Sequence, residues 1–292
     1  MTTLETSPRL MVRVATAEIR RHNRWNPGFF DIRFQEVERQ LSRLRARPLG
    51  DFIPEFLPDG SKGITYGQVG SRLLNPRGAV RYLQVINLRD TGIDFAIKPD
   101  RVAEGSQNDP PRSRVRKGDI LFTNTTFRGA DTLIGRCVVV PRDYGQLNIS
   151  QDIDRIRVRG VNPYYVGVFL KTEFGQLQIQ RFLHGVDSQK INFGHIRGLL
   201  LPVVSEKTQA EVERQCLKMS QCHDKAMAIK EELLANQRIK AGRYGGAIND
   251  AVGENAVHNR AVQEAKERLD HLIGELEAVM EGRQKKLKVF PD

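Results

Sequence analysis

The chain is short of cysteine, tryptophan and long apolar runs, and each shortage removes a class of protein. Three cysteines among 292 residues (Cys137, Cys216 and Cys222) are too few for a disulfide framework, which points to a reducing compartment. Cys216, Cys222 and His223 match no common zinc spacing and lack a second ligand pair, so buried helix thiols account for them better. No apolar run reaches the length of a membrane helix. Arg9, Arg13, Arg20, Arg21 and Arg24 interrupt the start, where a secretion signal would be apolar. A cytoplasmic protein without membrane contact is expected. The one tryptophan, Trp25, lies in this basic lead-in and reads as an anchor.

Enzyme signatures are missing too. There is no P-loop, no G-x-S-x-G elbow and no H-E-x-x-H. The six histidines are scattered without a convincing Asp, Ser or Cys partner. Asn108-Asp109-Pro110-Pro111 resembles the motif with which adenine methyltransferases hold a flipped base, but Arg112 replaces its aromatic, so it reads as a turn. No residue is nominated as catalytic or metal-binding.

What is present is a core and a positive charge. Hydrophobic residues make up 39%, charged residues 28%, and the mean hydropathy is −0.45, the balance of a soluble protein. The net charge of +11 is unevenly spread. Residues 1–45 hold an excess of four positive charges, residues 46–204 an excess of seven, and residues 205–292 none. A basic globular part beside a neutral helical part suggests a polyanion-binding head on a protein-binding stalk.

The pattern predicts an α+β fold in three parts. Residues 1–45 form a basic arm with a helix whose Phe34, Val37, Leu41 and Leu44 share a face. Residues 46–204 read as a mixed domain with a small twisted sheet. Its strands are expected at 63–68, 81–86, 119–123, 133–140, 153–158 and 199–203, with Asn162-Pro163 opening a helical region through Phe182. Residues 205–292 read as two long helices of coiled-coil type around a glycine-rich break at 241–255. Val212, Met219 and Leu233 mark the first seam; Val262, Leu269, Leu272, Leu276 and Val279 mark the second. Helix-to-helix pairing is favoured over a hairpin packed on its own domain.

Several ordered motifs from about Arg24 to Ala235 carry a resemblance. They are Arg24–Phe30, Lys117-Gly118-Asp119-Ile120-Leu121, Asn148-Ile149-Ser150-Gln151-Asp152, Gly175-Gln176-Leu177-Gln178-Ile179, Gln189-Lys190-Ile191-Asn192, and Leu201-Pro202-Val203 leading to Thr208-Gln209. Together they resemble the specificity (S) subunit of type I restriction-modification enzymes, in a half-length form with one target-recognition domain. The resemblance implies a non-catalytic subunit of a phage-defence complex that reads one half of a split site on double-stranded DNA. It also implies docking to an adenine methyltransferase subunit, with or without a restriction subunit. S-adenosylmethionine would then sit in the partner, and no cofactor in this chain. Because family members usually carry two recognition domains, a homodimer reading a symmetric, interrupted site is expected. Two other classes stay open: a coiled-coil scaffold that binds protein only, and a self-sufficient methyltransferase or nuclease with a divergent site.

Loop residues between strands are the candidates for DNA contact. Thr123, Asn124, Thr125, Thr126 and Arg128 follow the central strand, and Ser188, Gln189, Lys190 and Asn192 form a second polar loop. Both sets have the side chains that read base edges. Arg72, Arg77, Arg112, Arg114, Arg116 and Lys117 are candidates for phosphate contact.

Overall fold

The computed structural model describes residues 16, 19–20, 27–68, 74–75, 77–125, 134–183, 190–241 and 255–288. It is mixed α and β, with small sheets followed by long C-terminal helices. Trp25, Arg72, Thr126, Arg128, Ser188 and Gln189 lie outside the described residues.

The centre is a four-stranded antiparallel sheet of β2 (Ile64–Tyr66), β8 (Ile153–Ile156), β5 (Ile120–Thr123) and β6 (Cys137–Val139), in that order. Every residue of β5 and β8 is buried, because both faces of the sheet are covered. Ile120, Phe122 and Ile156 join the core with helices α2 (Pro163–Phe169) and α3 (Glu173–Leu183) on one face. Leu121 and Ile153 pack on the other face against Leu83, Leu147 and Ile149. Those three residues belong to a second sheet, in which β3 (Val80–Leu83) pairs antiparallel with β4 (Arg101–Val102) and parallel with β7 (Leu147–Ile149). The sheets meet where Gln68 bridges Ser150. A Cβ on Gly67 would lie 1.7 Å from the Ile149 carbonyl oxygen, so only glycine lets the backbones approach there. A two-residue ladder joins β1 (Arg47–Pro48) to β9 (Leu200–Leu201) and ties the entry of the domain to its exit.

The helices start where the sequence supplies caps. Asp31 accepts from the Arg33 amide at the head of α1 (Ile32–Arg43), whose Phe34, Val37 and Leu41 are buried. Asn162 caps α2, with Pro163 at its first position. The single helical region expected through Phe182 is instead two helices, because Thr172 intervenes. Its hydroxyl bonds the Phe169 carbonyl at 2.6 Å and accepts from the Gly175 amide at 3.3 Å. Short strands β1, β4 and β7 were not anticipated; two have only two residues and no room for alternation.

The long helices α5 (Glu206–Ala241) and α6 (Ala256–Met280) pack against each other within the chain. Val212 and Cys216 share the main core with Leu272, Leu276 and Met280, and Met219 meets Ala265 and Leu269, so the pair is antiparallel. This corrects the sequence reading, which set pairing of the helices against a hairpin on its own domain: the base of this hairpin packs on α2. Leu233 and Val279 are half-buried, and Val262 is exposed. Ala261, Ala265 and Leu269 face α5 in steps of four, which turns Val262 outward.

The shaft of α5 is also fastened sideways. His223 contacts the Thr91 hydroxyl at 2.9 Å and the Ile93 carbonyl at 3.2 Å, and burial pushes its imidazole below the usual pKa. Lys230 pairs with Asp94 at 2.7 Å, and Asp224 receives Arg142 and Tyr144 at 2.7 and 3.0 Å. Leu276→Ala is expected to cost about 2–5 kcal/mol of stability by chemical denaturation, whereas Val262→Ala should stay within about 0.5 kcal/mol.

Candidate nucleic-acid interface

β2 and β5 run in the same direction, since both are antiparallel to β8, so their C-terminal ends lie at one rim of the sheet. Gln68 leaves β2 there, Asn124 and Thr125 leave β5, and Ser150 to Asp152 lead into β8. The rim also receives the second polar segment. Thr125 pairs with Lys190 in an isolated antiparallel bridge, and the Ile191 amide donates to the Asn124 carbonyl at 2.9 Å. The described ends of the two loops nominated separately from sequence, 123–125 and 190–192, are thus joined.

The nominated residues do not all take the same position. Lys190 and Asn192 are exposed and Thr125 is half-exposed. Asn192 also caps α4 (Phe193–Gly198), accepting from the His195 amide at 2.9 Å. Thr123 and Asn124 are corrected: both are buried and bond within the protein, so neither reaches a base edge. The Thr123 hydroxyl donates to the Arg136 carbonyl at 3.3 Å. The Asn124 amide nitrogen donates to Asp154 at 2.7 Å and to the Gln151 carbonyl at 3.2 Å. Burial lifts the Asp154 carboxyl to about 7, against the opposing hydrogen bond from Asn124 and the charge of Lys190. Burial raises Asp152 as well, again opposed by Lys190.

The phosphate candidates among the described residues take different places. Arg112 lies at the rim and reaches the Gln68 side chain at 3.1 Å. Arg116 and Lys117 are exposed at the opposite end of β5, roughly 13 Å away at 3.3 Å per residue. Arg116 pairs with Asp59 at 2.6 Å; Ser61 and then Arg116 hold that carboxyl well below the usual range. Arg114 turns inward to Asp109, a correction to its expected role. Asp109 also accepts from Asn148 at 2.8 Å, so the segment at 108–111 is the turn anticipated from sequence. Arg77 is exposed in the turn before β3.

Two buried arginines of β8 and its exit, missed from sequence, hold this cationic loop. Arg155 is fully buried and donates to the carbonyls of Lys62 and Arg112 at 3.1 and 3.0 Å. Burial and the neighbouring Arg157 guanidinium pull its pKa down to about 10. Arg157 meets Asp119 through two contacts of 2.6 and 3.0 Å and donates to the Arg114 carbonyl at 3.3 Å. The signal was visible: a strand reading Ile153-Asp154-Arg155-Ile156-Arg157 places charges where apolar side chains are expected. Tyr66, 50% exposed, lies at the same rim with its ring 5.9 Å from Phe193.

No family model matches this chain, and no curated protein does. One similar solved structure is the S subunit of a type I restriction-modification system from M. genitalium. That similarity has a TM-score of 0.40 at 13% identity and covers 66% of this chain and 42% of the other. This chain therefore spans less than half the length of that protein. Among the described residues no group of three or more His, Cys, Asp or Glu could hold a metal, and no helix is long and apolar enough to cross a membrane.

Removing Arg157 strands the Asp119 carboxylate in the interior. Arg157→Ala is expected to cost about 3–5 kcal/mol in denaturant unfolding, more than Arg116→Ala, whose exposed pair contributes at most about 1 kcal/mol.

Proposed function

We propose that this chain is the non-catalytic DNA-specificity subunit of a type I-like restriction-modification or modification-only complex. It reads one half of a bipartite site and docks an adenine methyltransferase subunit that binds S-adenosylmethionine. The observation that carries this reading is the joining of the 123–125 and 190–192 segments into one polar rim beside Arg112. A surface of short polar side chains with flanking cations reads base edges and grips phosphates. Thr125, Thr126, Arg128, Ser188, Gln189, Lys190 and Asn192 are assigned to bases; Arg72, Arg77, Arg112, Arg116 and Lys117 are assigned to phosphates.

The domains in this reading are the basic arm 1–45, the recognition domain 46–204 and the helical strut 205–292. Two copies would read a symmetric, interrupted site, and α5, with its 36 residues, would hold them apart over about 54 Å. Because the seam is already buried within the chain, the twin must be met through other residues, such as exposed Val257 and Val262 of α6. The internal seam also speaks against the alternative of a scaffold that recruits proteins through that same stripe.

Selection from random duplexes by the complex should enrich a two-part site, with affinity falling steeply as salt rises. Arg112→Ala and Lys117→Ala should each weaken binding uniformly across sequences and lower the salt slope by about one. Salt-independent binding, or methyl transfer by this chain without a partner, would overturn the proposal.

A further inference from the structure

Asn124 joins three segments at the rim. Its amide donates to the Asp152 carbonyl at 3.1 Å, its carbonyl accepts from Ile191 at 2.9 Å, and its side chain holds Gln151 and Asp154. Yet two acceptors here have no hydrogen-bond partner: Asn124 Oδ1 and Asp154 Oδ2 are both buried and both orphaned. Asp154 as a residue is 1% exposed and Asn124 2%. Two unpartnered acceptors on side chains already joined by one hydrogen bond are what remains when an acid is drawn without its proton. One proton on Asp154 Oδ2, donated to Asn124 Oδ1, satisfies both and complements the existing 2.7 Å contact from Nδ2 to Oδ1.

We propose that neutral Asp154 and Asn124 form a closed acid–amide pair that positions the polar rim, and that ionisation of Asp154 loosens it. The proposal rests on the rim being the DNA-reading surface. Asp154 is a positioning residue: it is buried and acts through Asn124 on Ile191 and thereby on Lys190. Among the described residues, two charged groups bear on it. Lys190 faces it from the segment before α4, Asp152 precedes it on its own approach, and the ladder neighbours Tyr66 and Phe122 carry no charge near neutrality.

The direction of the pH effect follows from the proton. Between the ordinary 3.8 and about 7 the folded chain keeps a proton that the unfolded chain has lost. The contribution of the pair therefore declines across that window as pH rises and is gone above it. DNA affinity should fall over the upper part of the same window.

The decisive measurement is hydrogen exchange of the Ile191 amide from about pH 6 to about pH 8.5, corrected for intrinsic exchange, in the native chain and in Asp154→Asn. The asparagine can make the same two contacts with no acid to ionise. Protection of Ile191 should fall by about tenfold in the native chain and stay flat in Asp154→Asn, and duplex affinity should follow the same two profiles. Parallel exchange profiles in the two proteins would overturn the pair. Asp154→Ala, lacking both contacts, should expose Ile191 at every pH; native-like protection in that variant would also overturn it. Absence of duplex binding with a pH-dependent Ile191 profile would defeat the DNA reading and leave the pair standing.

Discussion

The ion pair between Arg157 and Asp119 is the constraint around which the rest is arranged. Asp119 also accepts from the Arg116 amide at 2.9 Å, so one carboxylate both fixes the turn into β5 and neutralises a guanidinium at the end of β8. Gly118, at φ +84°, lets the chain make that turn. Behind the pair, Arg155 threads the sheet and holds two carbonyls. A loop of like charges from Arg112 to Lys117 would otherwise repel itself from the surface. Here it is held by backbone carbonyls accepting from buried cations, which leaves Arg112, Arg116 and Lys117 outside.

The same arrangement explains a division within the sheet. Side chains on one face of β8 serve the cationic edge, and those on the other serve the rim, since Asp154 and Arg155 alternate across the strand. The four-residue strand thereby links the cationic edge to the polar rim. Both of its faces are buried, as are those of β5.

Much of the architecture was legible because it obeys simple periodicities. The central strands, the Asn162-Pro163 helix start and both long helices follow directly from apolar spacing and caps. The two-residue strands β1 and β4 were invisible, since a pair of residues carries no alternation. The candidate surface was half legible. Polar residues after β5 were recognised, but exposure was assumed for Thr123 and Asn124, whose burial depends on packing from the distant segment at 190–192. Arg114 was misplaced for the same reason: its partner Asp109 is set by Asn148 from another strand. Of the seam residues, Val212, Met219, Leu269, Leu272 and Leu276 are buried and Val262 is exposed, since periodicity names an apolar stripe without naming what buries it.

The contacts of His223 with Thr91 and Ile93 have a mechanical meaning. A Cβ on Gly92 would come within 2.3 Å of that imidazole, so loop and helix touch without slack. With Lys230 clamped to Asp94 one helical stretch further on, the rod has two attachments to the same loop and cannot roll about its own axis independently of the sheets. A twist of α5 at His223 and Lys230 is therefore passed to that loop and through it to the sheets.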